Sequence, residues 1–88
     1  MATRQEVFEA IDTEREYQDQ VWRAHSGGSE QPNPLSIGEW ILCAEDYLAQ
    51  ARARWTTEAK PEVETLEIMR KVAGIAVHCM EQHGAPKR

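Results

Sequence analysis

Eighty-eight residues with a net charge of −5 and two cysteines fit one small domain and exclude several functions at once. An acidic chain lacks the basic surface through which phosphate backbones are held, so no nucleic-acid partner is expected. No apolar run approaches the roughly 18 residues that cross a bilayer, and the charged N-terminus MATRQEVFEA has no apolar h-region of a signal peptide.

Thr3 and Glu6 have the spacing of a capping box, which opens a first predicted helix over about residues 4–23. Apolar residues recur at Val7, Phe8, Ala10, Ile11, Val21 and Trp22 at helical spacing. Glu14, Arg15, Tyr17 and Gln18 occupy the middle of that face. Ile11, Arg15, Gln18 and Trp22 fall on one line, so polar groups lie within the apolar stripe and must find partners. Two readings stay open. In one, Arg15 meets a phosphate, Glu14 and Gln18 meet a base edge or ribose, and Tyr17 and Trp22 stack on a ring. In the other, Glu14 and Arg15 pair with neighbouring helices and fix their register.

The segment HSGGSEQPNPL has no apolar period and predicts a loop over residues 24–36, either a connector or a lid. Gly27-Gly28 is not followed by Gly-Lys-Ser/Thr, so a P-loop is not expected. Ser36 and Glu39 form a second capping-box pair, and Leu35 and Trp40 stand at the positions of a hydrophobic staple. The helix they open, about 37–56, carries Ile37, Trp40, Ile41, Ala44, Leu48, Ala51 and Trp55 on one stripe, flanked by Tyr47.

Pro61 suits the first turn of a third helix over about 62–83. Gly84 supplies its left-handed stop, with Pro86 just beyond. From Val72 to Met80 this helix is apolar on nearly every side, broken only by Gly74 and His78. A helix apolar all round is enclosed on more than one face, which makes it the long central helix. Gly74 costs about 1 kcal/mol against alanine in mid-helix, so its presence implies close approach of another helix or a ligand. The expected fold is all-α, a three-helix bundle protomer in a single domain. Because small domains bury a smaller fraction of their surface, a second copy of the chain is expected to complete it.

Helical nucleotide hydrolases gather several acids around Mg²⁺. Here Glu39, Glu45 and Asp46 lie on the second helix with no two of them three apart, and Glu64 and Glu67 precede the apolar segment; solvated surface is the better reading for these acids. Cys43, Cys79 and His83 are too few and too loosely spaced for zinc. Both cysteines sit in helical patterns, which favours buried free thiols in a reducing cytosol. His78 reads as a satisfied core histidine. Arg70 and Lys71 are either salt-bridged to Glu67, or to Glu45 and Asp46, or available to a phosphate.

Glu14-Arg15-x-Tyr17-Gln18-x-x-x-Trp22, then Glu39-Trp40 with Tyr47-Leu48 and Ala51, then Lys71-Val72-Ala73 running to Glu81 and His83-Gly84, resembles small helical bacteriophage proteins of MazG-like appearance. The resemblance implies an oligomeric all-α protein with a nucleotide site between subunits and, in the MazG-like enzymes, Mg²⁺-dependent nucleoside triphosphate pyrophosphohydrolysis. The acidic pairs of that family are incomplete in this sequence. By analogy of size and architecture, the chain also looks like the phage proteins that sequester immune signalling nucleotides. The leading expectation is therefore a cytoplasmic, oligomeric, non-enzymatic binder of a nucleotide-derived molecule, needing no cofactor or metal. Its expected contacts are Glu14, Arg15, Tyr17, Gln18, Trp22, Arg70 and Lys71. The alternatives are a pyrophosphohydrolase using Mg²⁺ with Glu14, Glu39, Glu45 and Asp46, and a protein-binding adaptor.

Overall fold

The computed structural model describes residues 1–25 and 34–88, with side chains for 1–21 and 34–88. It contains three α-helices, α1 (Arg4–His25), α2 (Ile37–Thr57) and α3 (Glu62–His83), and no strand among the described residues. The expected loop 24–36 falls largely outside them.

Each start has a local cause. Thr3 Oγ1 accepts from the Glu6 N–H at 3.1 Å while the Thr3 N–H reaches back to Glu6 Oε1 at 3.4 Å. At α2, Ser36 Oγ accepts from the Glu39 N–H at 3.1 Å and the Glu39 carboxylate accepts from the Ser36 N–H at 3.0 Å. That backbone bond, with help from the Ser36 hydroxyl, holds the Glu39 carboxyl below its ordinary value. α3 stops at Gly84, whose N–H bonds Met80 O at 2.8 Å. Its φ of 123° and ψ of 154° are not the expected left-handed helical values. They lie in the extended positive-φ region that essentially only glycine enters.

Among the described residues, α1 and α2 each pack on α3 and not on one another. α3 is central in this sense, although at 22 residues it is no longer than α1. α2 and α3 run antiparallel, as their paired residues show. Arg54 Nη1 meets Glu64 at 3.1 Å near the turn, Lys71 Nζ lies 6.0 Å from the Tyr47 ring, Trp40 Nε1 donates to Gln82 Oε1 at 2.8 Å, and His83 Nε2 donates to Leu35 O at 2.7 Å. Trp40 also tilts against His78 with ring centroids 4.5 Å apart.

The core is small. Among the described residues, Trp40, Ala51, Ile68 and Ile75 are its buried hydrophobic side chains, whereas Ile37, Ile41, Leu48 and Trp55 of the predicted α2 stripe stand exposed. The stripe is wider than the face α3 covers.

The approach anticipated at Gly74 is made by α1. A Cβ there would lie 2.7 Å from Gln18 Nε2 and 3.0 Å from Glu14 Cγ. Gly74→Ala therefore loses stability despite its gain of about 1 kcal/mol in helix propensity, because overpacking costs about 1–3 kcal/mol. Urea unfolding is expected to show a net loss of about 1 kcal/mol, and the same substitution is expected to cost less in a Gln18→Ala background than in the wild type, as a double-mutant cycle reads.

Candidate functional site

Glu14 and Arg15 sit at the α1–α3 contact because they are adjacent on a helix and point to either side of the α3 ridge. Both are buried, at 5% and 6% exposure. Glu14 accepts from Arg70 Nε at 2.9 Å and from Gln18 Nε2 at 3.2 Å. Gln18 Nε2 also reaches Lys71 O at 3.4 Å. Arg15 forks onto Glu81, Nε to Oε1 at 2.8 Å and Nη2 to Oε2 at 2.9 Å, and Nη2 also meets Asp19 at 2.9 Å. Nη1 donates to Gln18 Oε1 at 3.4 Å, so the two halves join through Gln18. Bidentate charge-assisted pairs of this kind are strong and orienting.

Each of these side chains already has a partner within the chain. The Arg15 guanidinium, expected to meet a phosphate, is enclosed by two carboxylates. Glu81 in particular holds its pKa up. Glu14 is engaged by Arg70 rather than by a base edge, and Arg70 takes Glu14 as its partner instead of Glu67, Glu45 or Asp46. Asp19 was not anticipated, although its i,i+4 spacing from Arg15 could have pointed to it. Glu81 could be found only from the tertiary packing.

Beside the Glu14–Arg70 pair lies an open cleft of about 340 Å³, lined by Thr13, Glu14, Tyr17, Glu67, Arg70 and Lys71. It brings together four of the seven expected contacts, Glu14, Tyr17, Arg70 and Lys71. Thr13 and Glu67 were not anticipated. Tyr17 is exposed, and Arg70 uses only its Nε in the described hydrogen bonds. Gln18 stays in the seam, and the Trp22 side chain lies outside the described residues.

The acids of the hydrolase alternative do not converge within the chain. Glu14 is in the seam, Glu39 closes the α2 cap, and Glu45 and Asp46 line the outer side of α2 with Leu42, Cys43 and Ala49. Among the described residues, no group of three or more His, Cys, Asp or Glu could hold a metal ion. Cys43 and Cys79 are both free thiols.

His78 is buried beside Trp40. Desolvation, and next the Arg15 charge, hold its imidazole below the ordinary 6.5, while Glu81 and Asp19 pull weakly the other way. The Arg15 hydrogen bond likewise holds the Glu81 carboxyl below its ordinary value.

The asymmetry of burial sets the expected costs. Removing Arg70 strands a carboxylate that is 4% exposed, whereas removing Arg15 releases Glu81 and Asp19, which are 51% and 45% exposed and regain water. Arg70→Met is expected to cost about 3 kcal/mol, recovered largely by adding Glu14→Gln, and Arg15→Met about 1–2 kcal/mol. Both pKa shifts are depressions, so the unfolded chain binds more protons than the folded one as pH falls. The His78 contribution is complete above about pH 6.5 and is lost on acidification through the folded value. The Glu81 contribution is complete above about pH 4.3 and is lost lower still. Urea midpoints measured from pH 7 to 3 are expected to fall in two stages, with His78→Phe removing the first and Arg15→Met the second.

Set against models of protein families, curated proteins and solved structures, the chain matches none of them.

Proposed function

We propose that this chain is a helical assembly protein, an adaptor that joins protein chains through helix faces. The observation that carries this reading is an inversion of the usual arrangement. Polar side chains able to form a ligand site, Glu14, Arg15 and Gln18, are enclosed and bonded to one another and to α3. Large apolar side chains able to form a core, among them Ile37, Ile41, Leu48, Trp55, Leu66 and Met69, stand on the surface. A monomer of this size leaves too small a core to be comfortable. Oligomerisation completes the helical bundle that a single chain leaves open. Free thiols at Cys43 and Cys79 suit a reducing cytosol. No helix among the described residues is long and apolar enough to cross a membrane.

A second reading is favoured by the Thr13–Tyr17–Arg70–Lys71 cleft. On it, the protein sequesters a nucleotide-derived molecule, with Arg70 and Lys71 facing the phosphates and Tyr17 the ring, in line with the MazG-like, phage-type resemblance. Two acids, Glu14 and Glu67, share that lining and offset the two cations, which is why this reading stands second.

Light scattering at micromolar concentration is expected to give a multiple of 10.1 kDa, and thermal-shift titration with a panel of nucleotides and cyclic nucleotides is expected to give no shift. A shift abolished by Tyr17→Ala and Lys71→Ala would transfer the reading to the ligand binder. Recovery of the nucleotide intact after heating would mark sequestration. Appearance of monophosphate and pyrophosphate with Mg²⁺ would mark the hydrolase.

A further inference from the structure

Three charged side chains around the α1–α3 cleft keep bonding capacity that the fold does not use. Arg70 gives its Nε to Glu14 Oε1 at 2.9 Å and makes no other hydrogen bond among the described residues. A guanidinium engaged at Nε still offers the edge formed by Nη1 and Nη2, whose paired N–H groups match a carboxylate. Glu14 steadies that edge, because it is buried and its other oxygen accepts from Gln18 at 3.2 Å. Glu67 stands three residues before Arg70 and four before Lys71, the spacing at which helix ion pairs form. Yet among the described residues the ion pairs of α3 are Glu64–Arg54, Arg70–Glu14 and Glu81–Arg15, and neither Glu67 nor Lys71 enters one. Lys71 Nζ instead lies 6.0 Å from the Tyr47 ring centroid, at the outer limit of a cation–π contact.

The lining selects by charge. Glu14 and Arg70 neutralise each other, which leaves the Glu67 carboxylate and the Lys71 ammonium beside the open guanidinium edge. A phosphate ester brings negative charge and no donor to Glu67. A simple cation meets Arg70 and Lys71 with like charge. A molecule that carries a carboxylate and an ammonium on one carbon offers a partner to each. The other walls are Tyr17, which is exposed, and Thr13, whose hydroxyl already donates to Ala10 O at 2.8 Å. They present an aromatic face and no further hydroxyl donor, which suits an apolar side chain. The volume of about 340 Å³ is at the small end of ligand clefts, roughly 300–1,000 Å³.

We propose that this cleft binds a free α-amino acid with an apolar side chain. The carboxylate of the ligand takes the Nη edge of Arg70 and Lys71 Nζ, its ammonium takes Glu67, and its side chain lies against Tyr17. The site goes beyond the assembly reading and stands or falls separately from it. It differs from the nucleotide reading of the same cleft in the use of Glu67, an acid that disfavours a phosphate and here becomes a ligand contact. Two charge-assisted contacts in an open, wet cleft give weak binding, in the millimolar range.

The test titrates the isotope-labelled full chain with L-phenylalanine and follows its backbone amide signals by NMR. Saturable shifts are expected at residues 13–17 and 67–71. Blocking the ammonium, in N-acetyl-L-phenylalanine, or the carboxylate, in L-phenylalaninamide, is expected to weaken binding about 10-fold each, as loss of one charge-assisted contact does. Glu67→Gln is expected to remove the preference for phenylalanine over its N-acetyl form, and Lys71→Met to reduce the preference over the amide. Both substitutions leave the Glu14–Arg70 pair in place. Where circular dichroism shows that a variant has lost its helices, the two blocked compounds on the wild type decide the question. No shift at about 20 mM phenylalanine, well above a millimolar Kd, would overturn the proposal. Shifts spread evenly over the chain, or equal binding of the N-acetyl form, would do the same. Adenosine monophosphate moving these signals at lower concentration than phenylalanine would also overturn it and return the cleft to the nucleotide reading.

Discussion

The attachment of α1 depends on two buried charges that each find an opposite charge across the helix contact. Glu14 and Arg15 are neighbours in sequence, and on a helix neighbours point in different directions. One reaches Arg70 and the other Glu81, so together they grip α3 at two points. Taking such groups out of water is costly, and the cost is offset because both Glu14 oxygens and all three Arg15 nitrogens have partners. Gly74 makes the geometry possible by leaving room for Gln18, which links the two halves.

The α2–α3 contact works on a different physical basis. It is a hairpin held by Trp40, Ala51, Ile68 and Ile75, with polar ties at the ends and along one side. The Arg54 ties to Glu58 and Glu64 are exposed, and pairs of that kind contribute little. What holds this half is apolar burial, and its amount is modest for the number of large side chains available.

Local signals in the sequence were legible because their physics is local. Both capping boxes, the all-helical class and the stop at Gly84 follow from residues within a turn or two of the feature. Gly74 was legible as a close approach because an internal glycine in an otherwise apolar helix has few other reasons. The polar interruption of α1 was visible, but its partners within the chain were not. Deciding between a guest molecule and a mutual clasp needs the position of Glu81, sixty-six residues further on. The α2 stripe was legible as a stripe, but its burial was not. Periodicity tells which residues share a side, but it does not tell how much of that side a neighbour covers. Trp40 went inward while Trp55, on the same stripe, stayed out.

Among the described residues α1 packs on α3 alone, and residues 26–36 intervene before α2 begins. The α2–α3 contacts do not involve that arm, and segments joined to the rest through a single contact are the ones that can open as separate units. Nothing in the clasp requires the arm and the α3 it grips to belong to one molecule. The same four charges would serve an exchanged arm equally well, which makes reciprocal swapping between copies a natural extension of this architecture.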